Sequence, residues 1–395
     1  MDKQEIIQSS PEFSFVLLCA CLNPSPEQEQ KIKNSAQMDL DWPLVFKIAQ
    51  TQRVLPLLYQ NMAAIVPDID PYIAEKFKSV FIKNMARNIR ILYFLNDIIT
   101  LFKKNNIDVI PFKGPVSAQD IYGDISLRAF SDIDLLIKTK SAEKAWQLLI
   151  ENGFKPELNL TKGQIKKYIA VEDNITFLCP KNPFPVELHW EMSGIYLSGP
   201  LLFDHVENRV KPLKIENYVF QSLSLEDCLI YLCVHGTKHG WDHLEQVCLI
   251  SELIRQKKDL DWNLIDKLAG EWKCINMMLL GFNLARSILD APLPLFILSK
   301  IKKNSLVLKT SKKIIQDMYS KQDTLQVSDQ SERFSFFHIY MKDTLYDKTL
   351  YLLRLVFRPT KKEWLHFPVP AWLSFLHYFL RPYRLITEGI RKQHA

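Results

Sequence analysis

Glycine is scarce in this sequence, at 11 of 395 residues, and the scarcity removes whole classes of nucleotide site. No GxGxxG, no GxxxxGKS/T and no GxSxG occurs, so the dinucleotide fold, the P-loop and the hydrolase elbow lose their main signatures. Cysteine does not offer a disulfide framework or a zinc knuckle either: there are 7, an odd number, and no CxxC pair. That usage reads as a reducing environment, and a cytoplasmic location is expected. Long apolar runs are missing too. Phe13 to Leu22 and Pro368 to Leu380 are too short to span a bilayer, so no integral membrane segment is expected. The first run is preceded by Asp2, Glu5 and Glu12 against Lys3, the wrong sign for a signal peptide, and reads as a buried helix. His235, His239 and His243 recur every four residues, a spacing that can bind zinc, but Gly236 follows His235, so HExxH is absent and a zinc protease is not indicated.

What is present is a chain of helical patterns punctuated by 21 prolines, with 47% hydrophobic and 24% charged residues, ordinary for a globular protein. Residues 1–105 read as an N-terminal helical region. The character changes at Asn105-Asn106, a turn signal. Ile107–Phe112 and Ser131–Ile137 then read as strands, and Ser141 is placed to cap a helix over Ala142–Asn152 that closes at Gly153. Asn174–Cys179 and Pro185–Trp190 are two more strand candidates. Residues 106–199 therefore form an α/β core and 200–321 a helical domain. Gln322–Gln330 reads as a polar loop, and 331–395 as a basic, aromatic C-terminal helical segment. The expected class is α+β, a small mixed sheet flanked by helical regions.

Chemistry belongs where the helical pattern breaks. Strand side chains alternate faces, so Asp132 and Asp134 point one way while Ile133 and Leu135 point into the core. Two carboxylates side by side repel, and a divalent cation such as Mg²⁺ removes that cost. Three other D-x-D pairs occur, Asp39/Asp41, Asp68/Asp70 and Asp259/Asp261, but each lies at the edge of a helical pattern, where acids act as caps. Lys113-Gly114 sits where a strand turns into a short helix, a place where backbone N–H groups and a lysine can meet phosphates. Arg128 is placed to clamp a phosphate or neutralise the carboxylates, and Ser131 begins the D-x-D strand. A third carboxylate is expected on a neighbouring strand. Glu187 fits, with His189 on its face, and Glu172 and Asp173 compete from outside their strand.

The segment from Ser331 to Ala395 has 11 Lys/Arg against 5 Asp/Glu, equal to the whole chain's net +6, and 14 of the aromatics. It reads as helix packed by its aromatic face with arginines in solvent. Contact with nucleic acid or an anionic membrane surface is the alternative, and is not favoured.

FKGPVSAQDIYGDISLRAFSDIDLLI followed by VELHW resembles the uncharacterised nucleotidyltransferase family of the polymerase-β-like superfamily. Its members combine a K-G turn, a Y-G or Y-P, an arginine, a D-x-D strand and a later acidic-x-H-W strand. LCVHGTKHGWDHL looks like that family's histidine-bearing helix, and NLARSILDAPLP is a weaker echo. The resemblance covers most of the chain and is strongest from Pro111 to Trp190. It implies metal ligation (Mg²⁺ or Mn²⁺) by Asp132, Asp134 and Glu187, with these three as the catalytic residues. It also implies an NTP bound by Lys113, Gly114, Arg128 and Ser131. His189, His235, His239 and Trp241 would lie near the pocket of an unidentified acceptor. In the wider superfamily the phosphate turn is Gly-Gly or Gly-Ser and lies closer to the D-x-D, whereas here 17 residues separate Gly114 from Asp132. The expected activity is nucleoside monophosphate transfer from an NTP through a two-metal carboxylate site. The alternative is a catalytically inactive nucleotide-binding regulator or scaffold.

Overall fold

The computed structural model describes residues 10–194, 197–199, 201–320 and 336–393. The polar stretch Gln322–Gln330 lies outside them. Five helices come first: α1 (Pro11–Cys19), α2 (Pro26–Ala36), α3 (Trp42–Thr51), α4 (Leu55–Ile65) and the long α5 (Pro71–Lys104). The first apolar run is indeed a buried helix, with Phe13, Phe15 and Val16 inside the core. The three extra D-x-D pairs resolve as caps: Asp41 accepts from the backbone N–H of Leu44, Asp70 from Tyr72 and Ile73, and Asp261 from Asn263 and Leu264.

The sheet follows. It contains β1 (Val109–Pro111), β2 (Ile133–Ile137), β3 (Lys155–Pro156), β4 (Asn174–Cys179) and β5 (Asn182–His189), in the order β1-β2-β5-β4-β3. Only β2 and β5 run parallel; the other pairs are antiparallel. A parallel pair needs a crossover, and here α7 (Ala142–Glu151), β3, α8 (Lys162–Ile169) and β4 supply it. The helix α6 (Gly114–Tyr122) connects β1 towards β2. This is the expected α+β arrangement, a mixed sheet with helices around it. Differences in detail have local causes. The D-x-D strand starts at Ile133, after Asp132, and Ser141 occupies the cap position of α7 without a side-chain cap bond because a 3₁₀ turn over Thr139–Ser141 leads into the helix.

Beyond the sheet come the short α9 (Phe203–Val206) and an antiparallel hairpin of β6 (Lys211–Ile215) and β7 (Tyr218–Ser222), which helical periodicity did not announce. The helical domain contains α10 (Leu225–Lys238), α11 (Leu244–Gln256), α12 (Trp262–Glu271), α13 (Ile275–Leu289), α14 (Leu295–Lys303) and α15 (Ser305–Ser320). No helix among the described residues is long and apolar enough to cross a membrane.

Two buried asparagines break the apolar face of α5. Asn88, fully buried, donates to the carbonyls of Ile125 (2.7 Å) and Arg128 (2.8 Å), and Asn84 one turn earlier donates to Ser126 (2.9 Å) and Arg128 (3.1 Å). A buried amide needs its partners, so these two side chains fix the loop that delivers the chain to β2.

The C-terminal segment folds back as α16 (Leu345–Phe357), α17 (Lys361–His366), a 3₁₀ turn over Ala371–Leu376 and α18 (His377–Gln393). Asp343 accepts from the first N–H groups of α13, at Ile275 and Asn276, both 2.8 Å. Trp364 enters the sheet-side core, its ring 5.5 Å from that of Tyr168. The orientation corrects the sequence reading. Arg381 and Arg384 are buried, Arg384 in an ion pair with the fully buried Glu363, while Trp372, Phe379 and Tyr383 face solvent. The arginines turn inward because Glu363 and the Leu355 carbonyl give them hydrogen-bond partners there.

Candidate active site

The parallel pairing of β2 with β5 sets Asp134 directly beside Glu187, and Leu136 beside His189. Ile133 and Leu135 occupy the opposite face, buried in the sheet core. From the other side, β1 pairs Pro111 with Leu135, and the Phe112 N–H donates to the Asp134 carbonyl at 3.4 Å. The chain must then turn into α6, and Gly114 makes that turn with φ +57°, a conformation rarely open to L side chains. Space is not the constraint, since a Cβ there would meet the Asp132 carbonyl at an ordinary 3.5 Å. The turn leaves Lys113 as the N-cap of α6, with no side chain bonded to the helix's first N–H groups.

These elements bring four of the expected residues together. Lys113 Nζ donates to Asp134 Oδ1 at 2.6 Å, and His189 Nε2 lies 3.1 Å from both Asp134 Oδ1 and Glu187 Oε2. Asp134 is fully buried and Glu187 is about a third exposed, so the cluster opens to solvent on the Glu187 side. Ligand atoms of Asp134, Glu187 and His189 all lie within 4.8 Å of one another, as a metal ion requires. The second Asp134 oxygen, Oδ2, is buried without a hydrogen-bond partner, an arrangement that is costly unless a cation or donor is received there. The residues present thus fit a divalent cation. Asp132 stands outside this group of three, half-buried just ahead of β2.

Electrostatics keep the cluster charged. Burial pushes the Asp134 carboxyl up, but the Lys113 ammonium and the His189 hydrogen bond outweigh it and hold it well below the carboxylate range. Burial disfavours charge on Lys113, yet Asp134, with Tyr231 and Glu187, raises it above the usual lysine value. The hydrogen bond from His189 lowers Glu187. For Asp132 burial dominates, reinforced by Asp134, and its carboxyl is raised.

The other expected residues fall into two groups. His235 on α10 and His239 at its C-cap lie beside the cluster, with Tyr231, which was not expected, one turn before His235. The Tyr231 hydroxyl is 3.3 Å from His235 Nδ1, and the His235 and His239 rings are 4.6 Å apart. Phe112 packs edge-on between Tyr231 and His189, with centroids 5.3 and 5.1 Å away. Burial, then Lys113, holds His235 well below the ordinary histidine range, and burial with Lys238 lowers His239 to about 4. At both positions the surroundings disfavour the protonated imidazole. Ser131 is exposed beside Asp132. Arg128 stays within electrostatic reach of Asp132 but makes its hydrogen bonds elsewhere, and Trp241 lies in the helical core. Arg128 is buried, donating to Glu245 Oε1 and Ser117 Oγ, both at 2.6 Å, so it braces α6 against α11. Trp241 is core, packed under α10 where a Cβ on Gly236 would meet its ring at 2.5 Å. Sequence reasoning passed over Tyr231 and Glu245. Tyr231 had a signal, four residues before His235 and eight before His239 on a single helix; Glu245 had none.

Against known proteins, a comparison with the curated set gives no match. The model of the uncharacterised nucleotidyltransferase family matches residues 38–290. That span takes in the Lys113 turn, both strands of the carboxylate cluster and the histidine-bearing helix, and stops short of the C-terminal segment. The chain belongs to this family of nucleotidyltransferases.

Proposed function

We propose that the protein transfers a nucleoside monophosphate from an NTP to an acceptor hydroxyl at the Asp134/Glu187/His189 cluster. The observation that supports this most is the unpartnered Asp134 Oδ2 beside a lysine already seated on Oδ1. Asp134, Glu187 and His189, with Asp132 alongside, would hold Mg²⁺ or Mn²⁺ in a two-metal site. Bound divalent cations supply neutralisation of phosphate charge and activation of the attacking oxygen. Lys113 exchanges Asp134 for the β- and γ-phosphates, and the uncapped N–H groups of α6 receive the same anion. The acceptor oxygen forms a bond to the α-phosphorus while the α–β phosphoanhydride bond breaks and pyrophosphate leaves. The hydroxyl proton passes to Asp132, whose carboxyl is raised by burial and by Asp134. Glu187, the more exposed carboxylate, faces the side from which substrate enters.

Incubation with Mg²⁺, each labelled NTP and cell extract tests the proposal. Label transfer or pyrophosphate release is expected from the wild type and not from the Asp132→Ala/Asp134→Ala variant. Binding of nucleotide without turnover, across all four NTPs and a broad acceptor set, would point to the regulator or scaffold reading instead.

A further inference from the structure

The C-terminal helix α18 has reversed polarity. A surface helix ordinarily buries its apolar stripe and exposes its charges. Here the buried side carries His377, Arg381 and Arg384, held by the Phe367 carbonyl, the Leu355 carbonyl and Glu363. The outward side carries Phe379, Tyr383 and Ile386, and the preceding 3₁₀ turn continues the stripe with Trp372 and Phe375. Spacings of three and four residues put these side chains in a single row. Their exposures run from 56% at Phe375 to 74% at Trp372, so more than half of each residue faces solvent. On the neighbouring α16, Leu353 and Phe357 line a groove with Tyr378, Arg354 and Arg358, and Leu352 and Val356 are exposed. Large apolar side chains exposed together on two neighbouring helices mark an interaction site.

The occupant is indicated by chemistry. The segment from Ser331 to Ala395 has 11 Lys/Arg against 5 Asp/Glu. Exposed cations flank the aromatic row: Lys162 and Lys167 lie on α8, which packs on the Trp372 turn through Gly163 and the Gln164–Val369 hydrogen bond, and Lys362 lies on α17. Trp, Tyr and Phe with basic neighbours suit the boundary between lipid headgroups and acyl chains, where ring bodies are buried and polar tips stay hydrated. Anionic headgroups attract such basic flanks. We propose that the α16–α18 face docks the protein onto an anionic lipid surface, lying in the interface without spanning it. The aromatic row on α18 and its preceding turn is outside the residues matched by the family model, and the proposal does not depend on the nucleotidyl-transfer reading.

Flotation of the full-length protein with vesicles tests this, using phosphatidylcholine alone and phosphatidylcholine mixed with phosphatidylserine. The wild type is expected to float with the anionic vesicles, less so at high salt, and much less with phosphatidylcholine alone. Trp372→Ser/Phe375→Ser/Phe379→Ser should reduce partitioning by at least about tenfold, since each ring lost removes apolar area that would be buried. Its unfolding midpoint should match the wild type. Lys162→Glu/Lys167→Glu, with the aromatic row intact, should weaken binding to the anionic vesicles only. The proposal is overturned if the wild type stays unbound with phosphatidylserine vesicles, or if the triple-serine variant floats as well as the wild type. It is equally overturned if the wild type is a dimer that the triple variant converts to monomer without any vesicle binding, or if the face binds single-stranded RNA and ignores vesicles.

Discussion

Asp134→Asn is expected to lower nucleotidyl transfer by at least about 100-fold, the upper figure for losing a partner even outside a metal's ligand set. The substitution keeps the shape and an acceptor for Lys113 and His189 while removing the charge that both contact at Oδ1. Asp134 is the one member of the cluster that touches Lys113 directly and also pairs in register with Glu187. On the proposed reading its loss removes a metal ligand and the contact that seats Lys113 together. The unfolding midpoint should also fall, because Lys113 and His189 favour the charged carboxylate more than burial and its acidic neighbours disfavour it, so rates are compared at a temperature where both proteins are folded. Initial rates of pyrophosphate release over a range of Mg²⁺ and NTP concentrations give the check. A variant with wild-type rates would remove Asp134 from the chemistry.

The second large effect concerns stability. Arg128→Ala is expected to destabilise the fold by about 3–5 kcal/mol, the cost of leaving one member of a buried ion pair unpartnered. The side chains of Arg128 and Glu245 are 10% and 7% exposed, and the contact joins residues 117 apart in the chain, one on the loop before β2 and one at the start of α11. It ties the sheet to the helical domain and, through Ser117, braces the helix that starts at Gly114. Urea unfolding of the wild type and of Arg128→Ala reads the difference. Glu245→Ala should cost a similar amount, since it strands the guanidinium in the same place. If Arg128→Ala instead unfolds at the wild-type midpoint and only raises KM for NTP, Arg128 clamps nucleotide and its partner is dispensable.

Some of this was legible from residue order. The D-x-D strand and the strand bearing Glu187 and His189 are short apolar alternations that fold locally, and the remaining D-x-D pairs were separable because each precedes a helix it caps. The meeting of Asp134 with Glu187 is a register property of two strands paired across a long crossover, which no local pattern encodes. The partner of Arg128 is hidden for the same reason: an arginine near two aspartates suggests a charge clamp, and only the packing of α11 on the Arg128 loop reveals Glu245. Trp241 stands near histidines in sequence but fills the space left by Gly236 and Gly281, so its position follows from helix packing. The C-terminal segment misled because amphipathicity gives a helix two faces without saying which turns inward. Glu363, on a different helix, decides that.

The proposed centre is tested most directly by diffraction from crystals grown with Mn²⁺ and a non-hydrolysable NTP analogue. An anomalous peak is expected in ligand contact with Asp134 and Glu187, with Lys113 Nζ moved from Asp134 Oδ1 to a phosphate oxygen. A map with Lys113 still on Asp134 and manganese bound elsewhere, or not at all, would contradict it.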